Sequence, residues 1–539
     1  MIRHCCVALF IGLTSAVTQA ATVAPCADTC LLGASAARGN CELWDSAGNR
    51  WTPSPPADGP DAMHNLARDY TSWLHDWMMP AGGVMATQFA DATLSEPLYY
   101  GGKRDSAIWT GTYLATEALH AMATGAPDAA RWMDETIRTL HRWWNIPGDP
   151  GYLARYAAPA DSPAPIQAIL SADEPEVHRD VLYENQLWHW RGNISRDQYQ
   201  GVMLGYSFAY EATRSPALRE LIRQDVVEFV EQLMRSESRP VKVIIGNSVS
   251  NRNVRIPYAV FSTADSPGGG TPALTLQLSP FEAAGEGVLF FLPNAADLVR
   301  QLPGFSAFPN LYQPTQAIQL GAMFNIALQV TEGVPEYAAR RQAIAQHYAA
   351  HADEWMDIAA RWRNTNSCAD GYFGLNIGFM PLYSWIRLET DPVRKGRLQR
   401  EVLRDAMWAS VKDDKNVFFA FIYASQAPAE DNVQFVADFH ADQLARFPSA
   451  PNRSEPRDLS GIYSQSSSCP GISAVAVNVD ERVPSTFVWE RHPWKLQDAG
   501  TPNQVYGGVD YLMAYWMGRY YGFIADDAPG TCLFWRRGE

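Results

Sequence analysis

The chain has no excess of positive charge. Its 539 residues carry 43 Lys and Arg against 58 Asp and Glu, a net charge of -15. Phosphate backbones are held by basic footprints, so the composition excludes a nucleic-acid partner. No run beyond the first twenty residues reaches the roughly 18 apolar residues of a membrane span. Several short catalytic signatures are also missing: no Gly-x-Ser-x-Gly elbow, no HExxH helix, no Walker loop and no dinucleotide fingerprint after a strand. Cys26 and Cys30 lack the two-residue gap of a zinc knuckle, and no partner pair follows. No residue pattern calls for a metal, and no cofactor is expected.

What is present suits a large packed globule: 47% of residues are hydrophobic and 12% aromatic. Residues 1–20 read as a secretory leader. Arg3 and His4 precede an apolar run from Cys5 to Leu13, and the small residues Thr18 and Ala20 suit a cut after Ala20. A soluble protein exported to the periplasm or the cell exterior is expected. Removing the leader leaves Cys26, Cys30, Cys41, Cys368, Cys469 and Cys532, an even set that favours disulfides in an oxidising compartment, with the pairing open.

Residues 21–60 read as a loop and linker ending in PSPPADGP, where proline and glycine break any helix. From Asp61, Leu66, Tyr70 and Trp73 fall on one helical face. A repeat then dominates residues 61–539. Helix, short turn and helix recur around Thr124-Gly-Ala-Pro127, Thr213-Arg-Ser-Pro216, Thr331-Glu-Gly-Val-Pro335 and Thr390-Asp-Pro392. Each turn follows an apolar helix and precedes a more charged one that begins at proline, which suits a first helical turn. An all-round apolar helix must be buried and a charged-faced one lies outside. The expected fold is therefore all-α: an (α/α)6 toroid of inner and outer helices, with loop or small-strand insertions near 147–180, 239–313 and 450–500. Gly111, Gly201, Gly205, Gly321, Gly378 and Gly518 would allow close helix approach.

With its paired helices, the aromatic loops that lead into them and the openings Arg104-Asp105 and Arg196-Asp197, the chain resembles the six-hairpin glycosidase-like superfamily at the level of architecture. The resemblance implies a funnel at one end of the toroid where sugar binds and carboxylates cut it. Fold likeness alone establishes no activity.

The residues give their own reasons to look there. Glycoside hydrolysis needs one carboxylic acid to protonate the leaving oxygen and a second carboxylate to attack or to activate water. Asp105 and Asp197 hold equivalent repeat positions and are the expected pair. Each could instead merely cap its helix. His189 and Tyr199 are further catalytic candidates near Asp197, in the company of Glu184. Arg104, Arg196, Trp188, Trp190, Arg191, Trp109, Asn376, Arg491 and His492 are candidate substrate-binding residues, Tyr99 and Tyr100 flank the first opening, and Glu490, Asp510 and Asp370 complete two weaker clusters. A carbohydrate substrate is the expected partner. Two other readings stay open: a polysaccharide lyase using Arg196 with Tyr199 or His189 to move a proton on a uronate, and a non-catalytic toroid that binds glycans or a protein.

Overall fold

A computed structural model describes residues 42–45, 50–53, 60–266, 272, 274–278, 280–364, 372–448, 456–483 and 487–524. The leader 1–20, Asp370 and five of the six cysteines (Cys26, Cys30, Cys41, Cys368 and Cys532) lie outside these residues, which include Cys469.

The long helices are α1 (Pro60–Trp77), α2 (Ser106–Thr124), α3 (Pro127–Asn145), α4 (Arg196–Ala212), α5 (Pro216–Met234), α6 (Pro314–Thr331), α7 (Ala338–Ala359), α8 (Phe373–Leu388), α9 (Val417–Gln426), α10 (Val433–Ala445) and α11 (Val509–Tyr520). Between α8 and α9, a helix at Pro392–Arg397 continues into a π-helical stretch, Leu398–Trp408. All four proline-marked turns join a helix pair. Gly125 closes α2 with φ 70°, a conformation that favours glycine. Asp391 caps the helix at Pro392 by accepting from the Val393 and Arg394 amides at 2.8 and 3.0 Å.

Helices α2, α4, α6, α8, α9 and α11 each touch the next, and α11 returns to α2, closing a ring. The less buried helices α3, α5, α7 and α10 pack around it. The ring helices run in the same direction. Ile108 meets Gly201 while Gly111 meets Gly205, and the rings of His120 and Trp516 stack at 3.7 Å. The far ends of α4, α6 and α8 converge where Gln329 donates to the Ser207 carbonyl at 3.1 Å and Arg387 pairs with Glu211 at 2.5 Å. All six helix starts therefore open at one end, the mouth.

The expectation of an all-α chain is overturned. The fold is mixed α/β, about 49% helical and 17% strand, with several multi-stranded sheets. A hairpin pairs β1 (Glu42–Asp45) with β2 (Arg50–Pro53). Strands β3 (Ala86–Phe89) and β4 (Pro97–Gly101) form a sheet with β16 (Gln504–Val505). Strand β7 (Gln186–Arg191) lies between β5 (Tyr156–Pro159) and β6 (Val177–Tyr183). The largest sheet has the order β12 (Phe281–Gly285), β11 (Leu274–Leu278), β8 (Ser236–Ile245), β9 (Ser248–Pro257). The physical reason is plain in β8 and β9: alternating β-branched residues put Val241, Val243, Val254 and Ile256 on one buried face, the pattern of a half-buried sheet rather than a loop.

Helices α2 and α4 meet backbone to backbone. A Cβ on Gly201 would lie 2.2 Å from the Ile108 carbonyl oxygen, and one on Gly111 would lie 2.2 Å from the Gly201 carbonyl carbon. No side chain can retreat to relieve such a clash, so one methyl must part the helices. Gly201→Ala is expected to lower stability by about 1–3 kcal/mol, the usual range for overpacking, read as a lower midpoint in chemical denaturation.

Candidate active site

That contact sets the start of α2 beside the start of α4. Asp105 precedes α2 but makes no side-chain hydrogen bond to its first turn. Gln198 does that work from the neighbouring helix: its buried Oε1 accepts from the Ile108 amide at 3.0 Å. With its oxygen fixed, the amide nitrogen points the other way and donates to Asp105 Oδ1 at 3.2 Å and Asp197 Oδ2 at 3.0 Å. Capping therefore does not explain Asp105, and one amide clamps both carboxylates.

Burial pushes the Asp105 carboxyl up to about 6, and the negative charge of Asp197 adds to the rise. Arg155 works against it. This arginine lies just before β5 and ties together the loops that lead into α2 and α4. Its Nε donates to the Asn193 carbonyl at 2.6 Å, one Nη to the Arg104 carbonyl and the other to Ser195 Oγ at 3.0 Å. Burial pulls Arg155 below its ordinary value, while Asp197 and Asp105 hold it up. A third carboxylate, Glu490, accepts from Trp109 Nε1 at 3.3 Å. The Trp109 ring meets Phe487 edge-on at 5.0 Å and Tyr506 at 6.5 Å. Burial, and then the charge of Glu490, push the Tyr506 hydroxyl up to about 12, with a smaller contribution from Asp105.

The other expected residues are distributed differently. The exposed Arg104 side chain pairs with Glu176 at 2.8 Å, and Arg196 donates to the Phe290 carbonyl at 3.3 Å. His189 is buried in β7, where its Nδ1 accepts from the Asp180 amide at 3.0 Å. Tyr199 is fully buried; its hydroxyl donates to the Gly151 carbonyl at 2.9 Å and accepts from the Leu153 amide at 3.1 Å. Neither group is presented to the mouth. Trp188 lies beneath Arg142 at 4.3 Å, and Trp190 stacks on His178 at 4.0 Å. Arg191 is buried between Glu174 and Glu176.

Asn376 is buried near the start of α8. Arg491 is buried and pulled down to about 10 by that burial, opposed by Asp510, whose own carboxylate accepts from the Val488 amide at 2.8 Å. His492 accepts from the Trp494 amide at 3.2 Å. Among the described residues, no group of three or more His, Cys, Asp or Glu is placed to hold a metal ion, and no helix is long and apolar enough to cross a membrane.

Sequence reasoning names Asp105, Asp197 and Trp109, ranks Glu490 behind them, and misses Gln198, Arg155 and Tyr506. Gln198 carries a usable signal, since it directly follows Asp197 at a helix start. Arg155 carries none: it lies in a stretch that reads as an insertion, far along the chain from either aspartate. No protein-family model and no curated protein matches the chain.

Because the folded chain holds a proton on Asp105 that the unfolded chain releases near 3.8, this group makes stability fall as pH rises from about 4 to about 6. Asp105→Asn keeps an oxygen for Gln198 and removes the buried charge. It should stabilise the protein at pH 7 by roughly 1–3 kcal/mol and converge with the parent at pH 4. Thermal melts at both pH values check this.

Proposed function

We propose that the mouth is the active site of an exported carbohydrate-active enzyme, a glycoside hydrolase with Asp105 as general acid and Asp197 as the second carboxylate. With this goes kinship to the six-hairpin glycosidase-like proteins. The observation that carries the reading is the shared clamp: two carboxylates freed from capping and fixed by one buried amide, with Asp105 raised to about 6. Such a pair, with one member holding its proton up to about pH 6, is what protonating a leaving oxygen requires. Tyr506 lies beside it against the buried Trp109 ring, and Arg155 limits the repulsion between the two charges.

In the proposed step the Asp105 proton passes to the glycosidic oxygen as the bond from that oxygen to the anomeric carbon breaks. Both aspartates reach the same nitrogen within 3.2 Å, a tighter pairing than the wide gap that admits a water between carboxylates. Direct attack by Asp197 on the anomeric carbon forms a glycosyl ester, which water deprotonated by the Asp105 carboxylate then hydrolyses with net retention; this route fits that spacing. Inversion would move the base to Glu490. The lyase reading is weaker, because Tyr199 and His189 are buried and bonded to backbone. A binding-only mouth gives no reason to hold two carboxylates against one amide.

A panel of neutral, uronate-containing and host-type glycans, read for reducing ends and ultraviolet absorbance together, tests the assignment. New reducing ends without absorbance are expected, with kcat/KM falling as pH rises past about 6, where Asp105 loses its proton. Asp105→Asn and Asp197→Asn should each lower kcat by roughly a hundredfold or more in a folded protein. Absorbance would assign a lyase instead. Saturable glycan binding without turnover, unchanged in both variants, would make the mouth a binding surface.

A further inference from the structure

A cavity of about 500 Å³ opens at the same end of the ring, between the starts of α6 and α8. Tyr312, Gln313 and Thr315 form one wall, Arg361 and Arg363 another, and the first turn of α8 at Gly374 the third. Among the described residues, no Asp or Glu lines it. In a chain of net charge -15, two arginines at one cavity wall stand out.

Their contacts leave charge to offer. Arg361 lies over the Tyr312 ring at 4.8 Å. Arg363 donates to the Ala360 and Trp362 carbonyls at 3.2 and 2.6 Å. Neither forms a salt bridge to a carboxylate among the described residues, whereas Arg340 pairs with Glu231 and Arg397 with Glu401. The helix starts add to this. Among the described residues no side chain caps α6 or α8, so the positive ends of two long helices border the same space. Guanidinium groups with free donor edges match the planar carboxylate and the sulfate group alike.

We propose that this cavity is a subsite for the charged substituent, carboxylate or sulfate, of an anionic polysaccharide. The choice of a glycan rests on the carbohydrate reading of the mouth; the preference for an anion rests on the cavity alone. The substrate class is then a polymer whose charged sugar docks between α6 and α8, at the end where Asp105 and Asp197 stand.

The test is calorimetric titration of the full chain carrying Asp105→Asn, which prevents turnover. The probes are tetrasaccharides of a uronate, of a sulfated neutral sugar and of an uncharged sugar. At least one charged probe should bind tenfold or more tighter than the uncharged one, and added salt should erode that preference. Replacing both arginines (Arg361→Gln with Arg363→Gln) should abolish it. Gly374→Tyr should block the cavity, because a Cβ at Gly374 meets nothing within 4 Å. It provides a second variant that keeps the cations, with melting temperature as the check on folding.

Whichever charged probe is preferred assigns carboxylate or sulfate. Equal binding of the uncharged probe, a preference that survives both variants, or no binding of any probe at millimolar concentration would overturn the proposal. The two readings fail separately. Charged probes held here by a chain with intact Asp105 that cleaves no glycan would sink the hydrolase and keep the subsite. Cleavage confined to neutral glycans would do the reverse.

Discussion

The structure depends on the contact between α2 and α4, where glycine faces backbone. A ring of parallel helices spaced by ordinary side chains would hold Asp105 and Asp197 on separate helix starts, each free to cap its own. Gly111, Gly201 and Gly205 remove that spacing, and a glutamine of α4 then reaches the first turn of α2. The reach has two consequences. It supplies the cap that Asp105 would otherwise give, and it aims an amide at both carboxylates. Packing at the ring and chemistry at its mouth are one constraint. Glycine within a helix costs roughly 1 kcal/mol against alanine, and here that cost sets the site geometry.

The inserted strands matter for the same reason. Arg155 comes from the stretch leading into β5, and its guanidinium bonds the loop before α2 as well as the loop before α4. Asp265, which follows β10 (Ala259–Phe261) and precedes its partner β13 (Val288–Phe290), steadies the second loop: it accepts from the Asn193 amide and Tyr152 hydroxyl, both at 2.5 Å. The helical ring supplies direction, and the strand-bearing segments fix the cation whose charge acts on both carboxylates. An all-α account of the chain leaves that cation without a source.

The paired helices, their proline turns and the two Arg-Asp openings are legible in the sequence because each is a local pattern: periodicity, a turn residue, a repeated dipeptide. The sheets are harder to see. QLWHWR alternates as a strand should, yet its aromatic content makes it look like a sugar-binding loop, and Trp188, Trp190 and Arg191 are all buried in β7. Tyr199 misleads for a different reason, and an avoidable one. Two residues along a helix turn the side chain by about 200°, so Asp197 and Tyr199 cannot both face the mouth. Tyr199 faces α5, stacked on Phe229 at 4.5 Å. Gln198 and Arg155 act through contacts across 90 and 51 residues of chain, distances at which sequence spacing carries no information.

Charge bears on how an acidic protein would receive the anionic polymer proposed for the cavity between α6 and α8. At physiological salt the field of the surface carboxylates decays over about 8 Å, so an approaching chain meets little net repulsion until it enters the mouth. There individual groups dominate: Arg155 near the aspartates, and the exposed Arg361 and Arg363 at the cavity between α6 and α8. Recognition of this kind is short-ranged. It favours a ligand that brings its charge to the right depth over one that is merely charged, and it leaves the raised Asp105 its proton, because the cations that would lower it further are held at the neighbouring helix starts.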